Sequence, residues 1–92
     1  MKVFVVIECG HYSVNDLMCN TLGVHTLLEK AQEEMKECHK QALESVNSID
    51  KEFVSGISTE IDEMECTISY FNKVVEMLEK HFVFIEEREI ED

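Results

Sequence analysis

Proline is absent from this 92-residue chain, and glycine occurs only three times. Both residues punctuate regular structure, so their scarcity argues against a loop-rich fold and for long elements. Basic residues are also few: 8 lysines and arginines stand against 20 aspartates and glutamates, a net charge of −12. Such a surface repels nucleic acid and anionic lipid and attracts basic protein surfaces, although solubility alone would ask for the same composition. Long apolar runs are missing too. Met1 and Lys2 lead into a run from Val3 to Ile7, too short for a signal-peptide core or a membrane span. A cytoplasmic protein with no membrane contact is expected. Its four cysteines are then expected as thiols or metal ligands rather than disulfides.

Catalytic signatures are missing as well. There is no phosphate-cradling glycine loop, nucleophile elbow, His-Glu-x-x-His or Cys-x-x-Cys. The carboxylates are many but fall on faces expected to be solvated, and no pocket that would separate two pKa values can be inferred. The expectation is a binding protein and not an enzyme. Apolar residues make up 45% of the chain, too many for a disordered acidic tail. A chain of this length buries roughly 60–65% of its unfolded surface, enough for one thin core. A single domain over residues 1–92 is expected.

Residues 2–8 alternate, with Val3, Val5 and Ile7 on one side and Phe4 and Val6 on the other, as in a strand covered on both faces. After a turn-rich stretch, a second strand is expected over about residues 17–24, which brings Cys19 back beside Cys9. Thr26 and Glu29 have capping-box spacing, which starts a helix. From Leu28, apolar residues recur at steps of three and four through Phe53, and again from Ile57 through Phe82. Gly56 is the natural break, with Thr59 and Asp62 as a second capping box. The pattern predicts two antiparallel helices, about 27–54 and 59–80. An earlier interruption at Ser45–Ser48, where helix formers are poor, is the weaker alternative. A third strand begins at His81. The expected fold is α+β: two strands, a long antiparallel helical hairpin and a last strand, with a small three-stranded sheet packed on the base of the hairpin.

Two sets of residues carry candidate function. The first is the far end of the hairpin, where Phe53, Val54 and Ile57 are ringed by Asp50, Glu52, Glu60, Asp62 and Glu63. These residues either close the hairpin on themselves, dock a partner, or form the seam of a homodimer built as a four-helix bundle. The second is Cys9, His11 and Cys19, gathered by the first hairpin, with Cys38 or His39 as the fourth ligand. Zinc takes four such ligands in a tetrahedron. One structural zinc ion bracing a small core is the candidate cofactor, and the alternative is no cofactor at all. Cys38 equally suits a small core position on its stripe.

Three stretches resemble a loose group of short proteins common in phage and prophage genomes. Lys2 to Val6 matches the group's opening Lys-Val-Tyr-Val-Val strand. Gly23 to Glu33 matches its Gly-Val-Phe-Ser-Thr and Glu-Lys-Ala-x-Glu helix start. Ile85 to Asp92 matches its acidic Ile-Glu-Glu-Tyr-Glu-Leu-Asp close, with Arg88 where the group prefers an aromatic residue. The resemblance implies a phage-type protein acting in the host cytosol. By analogy of class it implies an inhibitor of host defence such as the anti-CRISPR proteins, whose targets carry basic channels. The expected partner is therefore a basic, nucleic-acid-handling host protein, with no direct contact to nucleic acid. The alternative is a structural homodimer with no inhibitory role.

Overall fold

The computed structural model describes residues 1–13 and 16–91, with side chains described outside 11–17. The elements run β1 (Lys2–Ser13), β2 (Asp16–His25), α1 (Leu28–Asn47), β3 (Val54–Ile61), β4 (Glu65–Asn72) and β5 (Met77–Glu89). The strands form one five-stranded sheet in the order β2-β1-β5-β4-β3, antiparallel at every pairing. Helix α1 lies across one face. No helix among the described residues is long and apolar enough to cross a membrane.

The helical hairpin is therefore overturned. Its first arm exists but stops at Asn47, with Ser48 as the C-cap, at the poor helix formers of the Ser45–Ser48 interruption. Its second arm is replaced by β3, β4 and the start of β5. The residues there explain the outcome: Cys66, Thr67, Ile68, Ser69, Tyr70 and Phe71 are β-branched, aromatic or small, and fit a pleated surface better than a helix. The spacing of Ile57, Ile61, Met64, Ile68 and Phe71, in steps of four and three, fits a helical stripe, and its odd steps put residues on opposite faces of a strand, so pairing with β5 overrode the stripe. Neither capping box forms. Leu27 is the N-cap of α1 and no side chain caps it, while Thr59 lies within β3. Gly56 does take a left-handed conformation, φ 63°, but it sits at the irregularity between Ser55 and Ser58 in the β3–β4 register, where it serves a bulge and not a helix end.

Strand parity arranges the core. Phe4 and Val6 of β1, Val83 and Ile85 of β5, and Cys66 of β4 face α1, which answers with Ala31 and Met35. Val3 and Val5, on the opposite face, are buried, although the one helix of the described residues packs on the other side. Val5 sits between Val24 of β2 and Glu86 of β5, so its neighbours in the sheet shield it. Helix α1 is tethered to β2 by His25 Nε2 and Glu34 Oε1, 3.0 Å apart. Gly23 supplies the room, because a Cβ there would run into the Glu34 carboxylate. Helix α1 packs over β1, β2, β4 and β5, and among the described residues it does not reach β3.

Two stability predictions follow from this packing. Met35 is fully buried at the centre of the helix–sheet interface, so Met35→Ala should cost about 2–5 kcal/mol in denaturant unfolding. Glu76, in the connection before β5, holds φ 52°, a conformation that costs an L-residue roughly 1 kcal/mol. Glu76→Gly should therefore raise stability by about 0.5–1 kcal/mol, a few degrees of melting temperature by calorimetry.

Candidate metal centre and docking edge

Adjacent residues on a strand point to opposite faces, and this separates the zinc ligands expected from the sequence. The β1–β2 register does bring Cys9 opposite Cys19. The two form a disulfide, so they are neither thiols nor ligands there, and they lie on the face away from α1. The His11 side chain lies outside the described residues. Cys38 is on α1, across the sheet from Cys9, so no ion could join the two. The expected set of Cys9, His11 and Cys19 with Cys38 or His39 is not assembled.

On the helix side a different group converges. Glu8 follows Phe4 and Val6 in alternation and so points at α1. Gly10 of β1 pairs with His81 of β5, and with no side chain of its own it leaves the His81 ring lying 3.6 Å from where its Cβ would be. Cys38 comes down from the helix. The Cys38 thiol donates to Glu8 Oε2 at 2.7 Å, and His81 Nε2 lies 3.4 Å from the same oxygen. One ligand atom from each of Glu8, Cys38 and His81 lies within 4.8 Å of the others, so by chemistry and spacing these three residues could hold a metal ion. The triad opens onto a cleft of 430 Å³ bordered by Gln41, Ser45, Tyr70 and Lys80.

The surroundings hold the Cys38 thiol protonated. Burial, then the hydrogen bond to Glu8, then the charge of Glu8 push the Cys38 thiol up to about 12. His39, the neighbouring residue, is 4% exposed, and neither ring nitrogen has a hydrogen-bond partner. Its pKa is lowered by burial and by His81. His39 stays outside the 4.8 Å cluster, although the sequence suggested it as a fourth ligand. Glu8 and His81 were missed. The signal for Glu8 was parity: it is the first charged side chain after Phe4 and Val6 on their face. His81 had no local signal, because only the β1–β5 register brings it to Glu8.

The docking residues expected at a helical tip are redistributed along the outer edge of the sheet. Asp50, Glu52 and Phe53 form the turn from α1 into β3, where Asp50 Oδ1 accepts from the Glu52 amide at 3.0 Å. Val54 is buried and drops out as a contact residue. Ile57 and Glu60 lie on β3, and Asp62 and Glu63 on the turn to β4. The strand spans about 23 Å at the usual rise, so these residues line an edge and not a point. Beside them Ile61 is 64% exposed, because α1 does not cover β3.

No protein-family model matches the chain, and no curated protein or solved structure does either.

The Cys38 environment has a measurable consequence. A thiol raised from 9.0 to about 12 is protonated in the folded chain well above the pH at which an unfolded one ionises. The sign is therefore loss of stability as pH climbs from 9 towards 12, with no effect below 9. At pH 8 iodoacetamide should label Cys38 much more slowly than an unhindered thiol, by peptide mass spectrometry. Glu8→Gln should speed it; an unchanged rate would remove Glu8 as the cause.

Proposed function

We propose that this is a small acidic binding protein of phage type, acting in the host cytoplasm, that inhibits or regulates a basic, nucleic-acid-handling protein. The observation that carries this reading is the state of β3. It is an edge strand left uncovered by α1, with exposed Ile57 and Ile61 among Glu60, Asp62 and Glu63. An open edge accepts an extended segment through main-chain hydrogen bonds, and its side chains select what binds. With a net charge of −12, the segment it selects is basic, and long-range attraction speeds the encounter. The four-helix-bundle dimer loses its basis, since each chain supplies only α1 among the described residues.

Zinc belongs to this reading as a structural brace between α1 and the sheet and has no catalytic part in it. In a reducing cytoplasm the Cys9–Cys19 bridge would open to two thiols, and the strand register would keep them opposite each other.

The test is capture of partners from host lysate at low and high salt, with wild type beside a Glu60→Lys, Asp62→Lys, Glu63→Lys variant. Nucleic-acid-binding proteins should be enriched and should wash off with salt. The variant should associate at least about 10-fold more slowly with whichever is captured. A partner set without such proteins, or one indifferent to the charge reversal, would count decisively against the reading.

A further inference from the structure

We propose, resting on the zinc reading alone and on nothing at the docking edge, that Glu8 Oε2, Cys38 Sγ and His81 Nε2 form a three-ligand site for one thiophilic divalent cation, zinc in class, whose remaining position opens on the cleft.

The spacing fits an ion with little movement. Zinc bonds of about 2.0–2.3 Å in a tetrahedron set neighbouring ligand atoms roughly 3.5 Å apart. His81 Nε2 and Glu8 Oε2 are already 3.4 Å apart. Cys38 Sγ and Glu8 Oε2, at 2.7 Å, share a proton that an ion would replace, and they would separate by somewhat under about 1 Å. The thiol proton leaves to solvent, and thiolate and carboxylate together balance the charge of a divalent ion. His81 binds through Nε2, which leaves Nδ1 to carry the ring proton. That Nδ1 is buried and has no hydrogen-bond partner among the described residues, so the ring is oriented by packing and not by the outer-shell acceptor that usually fixes a ligating imidazole.

The ligand set also selects the ion. One sulfur and one imidazole nitrogen favour zinc over calcium or magnesium, which take oxygen. The cleft beside the cluster provides an entry path and room for water as the fourth ligand. The ligands come from β1, α1 and β5, so a bound ion would clamp the helix to two adjacent inner strands of the sheet. It would add cross-links that a chain of this size cannot replace with apolar burial.

The test uses full-length protein without a histidine tag and with the Cys9–Cys19 bridge closed, so that those sulfurs cannot compete. Native mass spectrometry should find one zinc per chain. Cobalt in its place should give a thiolate-to-cobalt charge-transfer band, which reports sulfur ligation in the wild-type protein without any variant. Cys38→Ser should abolish the band and weaken zinc by more than about 100-fold, beyond what outer-shell changes cost. Glu8→Gln should weaken it by at least about 10-fold. Circular dichroism of both variants separates lost ligands from lost fold. No retained ion would overturn the site and the zinc reading together. A band that persists in Cys38→Ser and disappears in Cys66→Ala would overturn this site and leave zinc bound elsewhere.

Discussion

One helix has to cover five strands. A helix with its side chains is about 10–12 Å wide, and the outer strands of a five-stranded sheet are about 19 Å apart. The shortfall shapes the rest of the molecule. Helix α1 spans β1, β5 and parts of β2 and β4, and it leaves β3 without a cover. The core is one layer thick, built from Phe4, Val6, Met35, Val83 and their neighbours. Val5, on the other face, lies between Val24 of β2 and Glu86 of β5, with no helix of the described residues above it.

The same shortfall makes the polar cluster under α1 consequential. Where apolar side chains are few, the sheet has placed Glu8 and His81 against Cys38, and a buried polar group must be satisfied or it destabilises. Cys38 meets that demand by donating a hydrogen bond to the Glu8 carboxylate, which makes the thiol reluctant to ionise. His39, alongside, is buried with no hydrogen-bond partner on either ring nitrogen. The helix–sheet interface thus carries two imidazoles, a thiol and a carboxylate where Leu and Val would pack more simply. Proteins depart from simple packing in this way where function asks for it.

Much of the outer frame was legible in the residues. Alternation from Lys2 to Glu8 marked β1 as a central strand, the return of Cys19 to Cys9 followed from the first hairpin, and the helix starting at Leu28 followed from its stripe. The region after Asn47 was not legible, for a physical reason. The spacing of Ile57, Ile61, Met64, Ile68 and Phe71 follows a helical stripe and not the strand period, and only the long-range pairing of β4 with β5 selects the strand. The β-branched and serine-rich content of that region was the local signal, and the stripe outweighed it. The candidate site was legible in its chemistry and not in its membership. Cys38 belonged to it, but its partners Glu8 and His81 lie far from it in sequence and meet it only through parity and register.

Charge gives β3 its direction. An exposed edge strand invites pairing with a second copy of itself, and proteins blunt such edges with bulges and charge. Here the bulge at Gly56 interrupts the first half of the strand, and Glu60, with Asp62 and Glu63 just beyond, marks the second. Two copies meeting along that half would set carboxylate against carboxylate, and like charges placed opposite one another destabilise a pairing. A segment bearing lysine or arginine meets no such penalty and gains from the same carboxylates. On the proposed reading, one set of residues would therefore reject the copy and admit a basic partner, and the sign of the charge, more than its size, would supply the specificity of the edge.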